Sequence, residues 1–357
     1  MTDLGSLHGA ALLQCGTEDL VAVAGGTTGS DPDTDCTLGT RFQIASVSKQ
    51  FTAAAVLLLA DRGVLSVDDP VRDWLDGCPA AWEPVTVHHL LSHSGGLVHW
   101  HALPGLDLTR PAAASELLGS FASAPLLSPP GERFSYSSPG YVLLGLIIEK
   151  AAGQPYHAFL TREIFQPLGL TSTFSGNPGA EPDLAAGRHD GAAVPSFELD
   201  TVNLGTGSIW STVGDLARWD RALASGEVLS DAARQAMFSA HVPVEDDDGL
   251  IRTEGYGYGW FTGTVSGGRR IFYHPGDQAG FCSLNAWFPD DGVRLAVLSN
   301  EGTTRLDPIV RDLIQTAFPA PAPAARQPGP GGRDLLRHAE KDAATSPTLR
   351  RRHVACG

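Results

Sequence analysis

The 357-residue chain is long enough for one large domain or two interleaved ones, and its 42% hydrophobic and 18% charged residues suit a folded protein with an ample core. A net charge of −15, broken by no basic stripe before Arg350, Arg351 and Arg352, argues against nucleic acid or an anionic membrane surface as partner. The longest apolar run, Ala53 to Ala60, is too short to cross a bilayer, and the first residues lack the basic-then-apolar pattern of a signal peptide. Five cysteines without a C-x-x-C pair read as free thiols of a reducing compartment, so the expected location is the cytoplasm.

In chain order, residues 10–26 suit two short strands around a polar turn. From Val47 to Arg62 the spacing is helical, with Phe51, Ala54, Ala55, Leu58 and Leu59 on one face and Gly63 as the stop. Asp68-Asp69-Pro70 opens a helix ending near Trp74 and Leu75. Further helices are expected at Val87–His93, Ala112–Phe121, Tyr141–Ala152 and His157–Ile164. Strands return at Tyr256–Thr264, Arg270–His274, Phe281–Phe288 and Arg294–Ser299, followed by a helix at Pro308–Phe318. Strands, then helices, then strands define an α/β (α+β) class with a helical insertion. The Pro/Gly-rich composition of residues 319–357 is that of a disordered tail.

Candidate chemistry begins at Ser46-Val47-Ser48-Lys49. A serine hydroxyl needs a neighbour to take its proton. At a helix start, residues i and i+3 share a face, so Lys49 Nζ can reach Ser46 Oγ. The helix N-terminus adds free N–H groups for a developing oxyanion. Lysine serves as a base when burial or a second cation lowers its pKa, which arginine cannot match. With three lysines against 22 arginines, a lysine at this place is informative. The spacing alone is a weak signal and favours a helix cap beside a surface lysine.

The flanks narrow the choice. RFQIASVSKQFT (residues 41–52) resembles the nucleophile segment of the penicillin-recognising serine hydrolases, the class C β-lactamase and carboxylesterase-like family. VTVHHLLSHSGGL (85–97), PGERFSYSSPGYVLLG (130–145) and YHPGDQAGF (273–281) resemble, in the same order, the helix and turn before the second motif, the Tyr-x-Asn segment, and the Lys-Thr-Gly or His-x-Gly strand. The likeness runs from about residue 10 to about residue 317.

The resemblance implies a β-lactamase/transpeptidase-like fold: an antiparallel sheet flanked by helices from residues 1–67 and 204–318, and a mostly helical domain from 68–203. It implies Ser46 as acyl acceptor and Lys49 as its proton partner. Tyr136 is then the phenol that carries a proton to the leaving group, provided the lysine holds its pKa below about 10. His274 takes the basic position of the third motif, and the backbone N–H groups of Ser46 and Asp277 form the oxyanion hole. Ser138, Gly276, His99 and Trp100 are the expected substrate-binding residues, and Gly205–Thr212 the return into the sheet domain. No cofactor and no metal are expected. The partners are a small ester as acyl donor and water, or an amine or alcohol, as acceptor.

Two departures shape the substrate. Ser138 stands where the family has Asn, so the amide that would bind an acylamino group is missing. His274 replaces Lys and is mostly neutral near pH 7, so a substrate carboxylate is held less firmly. Both point to the esterase and acyltransferase branch, with ester hydrolysis ahead of acyl transfer, and both ahead of β-lactam or D-peptide cleavage. Competing readings are a metal hydrolase built on His88, His89, His93, His99 and His101, and a non-catalytic binder. The i, i+4 pair His89 and His93 lacks the Glu of a zincin helix, Leu90 standing there. No G-x-S-x-G elbow of an α/β-hydrolase occurs.

Overall fold

The apolar run Ala10–Leu13 builds β1 (Gly9–Cys15), buried from Gly9 to Leu13, and the alternating residues after it build β2 (Glu18–Gly25), a hairpin around Gly16 and Thr17. The computed structural model describes residues 7–30, 33–103, 106, 112–179, 181, 183–194 and 204–319. Residues 320–357 of the expected tail lie outside these. β3 (Phe42–Gln43) leads through a 3-10 turn, Ala45–Val47, into α1 (Ser48–Asp61). Next come α2 (Val71–Trp74), α3 (Val87–Leu91), α4 (Ala114–Ala122), α5 (Ser138–Ala152) and α6 (Tyr156–Leu160). The short strands β4 (Phe174–Ser175), β5 (Arg188–His189), β6 (Ala192–Ala193) and β7 (Ile209–Ser211) precede α7 (Val213–Ser225) and α8 (Asp231–Phe238). β8 (Val242–Asp247), β9 (Ile251–Tyr256), β10 (Phe261–Val265), β11 (Arg269–Gln278), β12 (Phe281–Phe288) and β13 (Val293–Ser299) are followed by α9 (Leu306–Ala317).

Eight strands form one antiparallel sheet in the order β2-β1-β13-β12-β11-β10-β9-β8, the α/β class expected. β13 is buried at every position, as a central strand covered on both faces must be. Helix α7 packs on β1 and β13, and α9 on the same part of the sheet. Helix α1 is buried at every position from Ser48 to Leu59, not on the expected face alone. It contacts α5, α6 and α8, and a helix enclosed on all sides reads apolar all round. Phe51 stacks on Trp219 of α7 at 4.2 Å, a contact worth about 0.5–1.5 kcal/mol beyond the area it buries.

The strand expected over Tyr256–Thr264 is instead a hairpin, β9 and β10, joined through residues 257–260. Gly259 has φ +77°, and a Cβ there would lie 2.7 Å from the Lys49 carbonyl oxygen, so the turn is pressed against the start of α1. The expected strand Arg270–His274 continues to Gln278. It pairs with β10 only as far as Tyr273 and with β12 along Phe272–Gln278. Helix α7 had no counterpart among the expected elements, although Thr212 caps it by accepting from Asp215 N at 3.1 Å and Gly226 ends it at φ +77°.

The reason is Asp220, a carboxyl on the buried face of α7, 1% exposed. Asn285 Nδ2 of β12 donates to Asp220 Oδ1 at 2.8 Å and to Gln50 Oε1 of α1 at 3.1 Å. Asp220 Oδ2 and Asn285 Oδ1, two acceptors, have no donor partner while the carboxyl is ionised. Burial pushes the Asp220 carboxyl up to about 8, against the pull of Asn285. The protonated acid carries an O–H donor and no buried charge. The folded state then holds this proton up to about pH 8, while the unfolded chain releases it near pH 3.9. Stability at this site therefore falls as pH rises through that window and levels off above it. Asp220→Asn should melt higher than the wild type, by a margin that grows between pH 5 and pH 8 in thermal unfolding. A margin that stays constant would count against a protonated Asp220.

Candidate active site

Ser46 lies in the 3-10 turn before α1, and Lys49 in the first turn of the helix. In a 3-10 turn residues i and i+3 eclipse, which brings Lys49 Nζ to 3.0 Å from Ser46 Oγ. Ala45, just before the nucleophile, is held at φ +47°, a conformation costly for a residue with a Cβ. Its neighbours clamp it. Ile44 N donates to Ile209 O of β7 at 2.9 Å, Ile209 N to Ser48 Oγ at 3.2 Å, and Ser283 Oγ of β12 to Ile44 O at 2.7 Å. Gly276 of β11 completes the clamp, since a Cβ there would lie 2.6 Å from Ile44 O and 3.1 Å from the Ala45 Cβ.

Lys49 is fully buried. Besides Ser46, its Nζ reaches Thr206 Oγ1 at 2.6 Å and Thr206 O at 3.2 Å, and no carboxylate among the described residues pairs with it. Desolvation holds its ammonium well below the usual lysine range. A neutral Nζ gives two N–H donors to the two Thr206 oxygens and turns its lone pair to the Ser46 hydroxyl. Thr206 is placed by Gly205, where φ is +71° and a Cβ would lie 2.4 Å from Tyr141 O, and by Thr52 Oγ1, which donates to Gly205 O at 2.6 Å.

Tyr136 sits just before α5, whose first residue is Ser138 and whose cap is Ser137. Lys49 Nζ lies 5.0 Å from the Tyr136 ring centroid. Burial pushes the phenol above its usual range, while hydrogen bonding with Ser46 and Ser138 pulls it the other way. The net direction is upward, opposite to the lowering expected from a nearby lysine cation. Burial outweighs both hydrogen bonds, and Tyr136 remains a phenol, a donor.

His274 is 1% exposed and its ring lies 6.1 Å from that of Tyr136. Its Nδ1 is 2.6 Å from Pro275 O, so it carries the proton there, and Nε2 accepts from Tyr256 O–H at 3.1 Å. Burial, and then Lys49, push His274 down to about 3, which keeps it neutral at physiological pH. His99 accepts from Trp100 N at 2.7 Å through Nδ1 and lies 5.5 Å from the Tyr136 ring. Burial first, then Lys49 and His101, hold it near 4. Trp100 contacts Phe121 of α4, its ring turned to the helical part.

The histidines weighed as metal ligands have other uses. His88 Nδ1 bonds Tyr258 O–H at 2.7 Å, and His89 Nδ1 accepts from Thr86 N at 3.1 Å. No group of three or more His, Cys, Asp or Glu among the described residues is placed to hold a metal ion. Sequence reasoning named neither Thr206 nor Tyr256, and it read His93 only as a possible ligand. Thr206 was within reach of the resemblance, being in the return segment 205–212. Tyr256 had no signal of its own.

A half-buried serine on a fully buried lysine with a tyrosine beside them, set against an eight-stranded antiparallel sheet and its helices, is the arrangement of the penicillin-recognising serine hydrolases. The chain belongs to the Beta-lactamase family, whose profile matches residues 2–317. It is 32% identical over 280 residues to penicillin-binding protein 4* of Bacillus subtilis (strain 168), covering 73% of this chain and 60% of that one. It is 32% identical over 314 residues to esterase EstB of Burkholderia gladioli, covering 72% and 76%. The structure superposes on a penicillin-binding protein from Bacillus halodurans with a TM-score of 0.73 and 27% identity, over 85% of this chain and 94% of the other. The chain thus spans about three fifths of the Bacillus subtilis relative. Among the described residues no helix is long and apolar enough to cross a membrane.

Proposed function

We propose that this protein hydrolyses small, uncharged esters through an acyl-enzyme on Ser46. The carrying observation is Lys49 Nζ, buried without a carboxylate partner among the described residues and 3.0 Å from Ser46 Oγ. Neutral Lys49 takes the Ser46 proton as Oγ attacks the ester carbonyl carbon. Tyr136 gives its phenolic proton to the leaving alcohol oxygen and regains one from Lys49. Water then attacks the acyl-enzyme, and the proton transfers run in reverse.

The oxyanion is held by the N–H groups of Ser46 and Asp277. Pro275 supports this assignment. A proline fits inside a strand where its missing N–H would face an unpaired edge, and beyond Tyr273 β11 has β12 as its strand neighbour. Asp277, two residues on, directs its N–H to the same side. Gly276 brings that stretch of β11 against Ala45.

The choice of an uncharged ester follows from the charges. Lys49 is neutral, and His274 and His99 are neutral well above their lowered values of about 3 and about 4. The relative named as an esterase fits the same reading. A charge-assisted hydrogen bond to a carboxylate contributes about 1.5–3 kcal/mol, roughly 10- to 100-fold, and this site forgoes it. Hence kcat/KM for p-nitrophenyl acetate should exceed that for a carboxylate-bearing chromogenic cephalosporin by roughly 10- to 100-fold. Equal or faster turnover of the cephalosporin would overturn the ester assignment.

A further inference from the structure

Tyr136 is held from both sides by one residue. His93, in the turn after α3, takes a hydrogen bond from Ser135 N to its carbonyl oxygen at 2.7 Å. It takes a second from Ser137 N to its ring Nδ1 at 3.2 Å. The two amides flanking Tyr136 thus both end on His93. The imidazole lies against the tyrosine, ring centroids 4.3 Å apart, and contacts Tyr141 at 4.9 Å and Tyr256 at 4.8 Å. The side chain is 2% exposed, and the backbone is held at φ +55°, where a non-glycine residue is strained. Strain kept at a buried residue beside the reacting groups is the pattern of a built site rather than of a loop in passing.

We propose that His93 is the positioning residue for Tyr136: by bracketing its two flanking amides and packing on its ring, it sets the phenol for proton delivery to the leaving group. The inference rests on the proposed role of Tyr136 and goes beyond it. Because Nδ1 accepts, the ring proton sits on Nε2, which has no hydrogen-bond partner among the described residues. Burial above all holds the imidazole well below its usual range, so it stays neutral and Nδ1 stays an acceptor for Ser137 N.

Proton delivery matters for a poor leaving group and little for p-nitrophenoxide, which departs without help. The test therefore compares kcat/KM for an alkyl ester and the p-nitrophenyl ester of the same acid in Tyr136→Phe, His93→Phe and His93→Asn. His93→Phe keeps a ring but loses the acceptor. Asn tolerates the left-handed backbone and can offer Oδ1 to Ser137 N. Tyr136→Phe and His93→Phe should each lose about 100-fold on the alkyl ester and under about 5-fold on the p-nitrophenyl ester, the scale of a misplaced proton donor. His93→Asn should stay within about 5-fold of wild type on both. Equal losses on both esters in the His93 variants would overturn the positioning role. So would an alkyl-ester loss in His93→Asn as deep as in Tyr136→Phe, a result that stands even if His93→Phe fails to fold. If Tyr136→Phe itself treats the two esters alike, the role of Tyr136 fails first, and the positioning role with it.

Discussion

Ser46→Ala should lower kcat for p-nitrophenyl acetate by about 100,000-fold while leaving the melting temperature within a degree or two of wild type, because removing a nucleophile costs the whole covalent route. The fold should survive because Ser46 contributes little to the frame. The strained Ala45 is held by Ile44, Ile209 and Ser283, none of which is touched by the change. Lys49 Nζ keeps both Thr206 oxygens. Substrate binding should persist, since the cleft rings of Tyr136, His99 and His274 stay in place. Steady-state kinetics beside a thermal melt would check this. Activity within tenfold of wild type would point to a different nucleophile.

Lys49→Met should remove activity by about a thousandfold or more and yet raise the melting temperature. The two effects have one cause. Lys49 is buried and its ammonium is disfavoured by desolvation, so the folded chain carries a neutral amine while the unfolded chain binds a proton up to about pH 10.4. Between the lowered folded value and pH 10.4 the unfolded state holds more protons, so stability at this site rises with pH. The cost of burying Lys49 is therefore present at neutral pH and fades towards pH 10. The thermal gain of Lys49→Met over wild type should be largest at neutral pH and shrink as pH approaches 10. A gain that is absent, or that grows with pH, would mean Lys49 is charged in the folded state. Methionine fills the stem of the cavity but cannot accept the Ser46 proton, which is why stability and activity part company.

Much of the frame was legible because its signals are local. The β1–β2 hairpin, α1, α5, β12 and β13 have apolar patterns that tertiary contacts merely reinforce. The misses have physical causes. β8 and the start of β9 lie at the outer end of the sheet and carry acidic residues such as Glu245, Asp246 and Asp247, which mask the strand pattern. Helix α7 was hidden by Asp220, a carboxyl on its core face that makes sense only beside Asn285. In the site, Ser46 and Lys49 share one helical turn, so spacing and flanks together expose them. Thr206 meets Lys49 across 157 residues of chain, and Tyr256 of β9 meets His274 of β11 past the intervening β10. Such contacts leave no mark on spacing. Burial is equally unreadable in advance, and it is burial that makes Lys49 neutral and reverses the expected direction for Tyr136.

The central claim is that the acyl group passes through Ser46. Intact-mass spectrometry of the enzyme, quenched in acid within milliseconds of mixing with a slow aryl ester, followed by peptide mapping, tests it most directly. One acyl group per chain, on the peptide containing Ser46 and absent from Ser46→Ala, is the predicted result. Turnover with no adduct on that peptide, or an adduct that persists in Ser46→Ala, would contradict it.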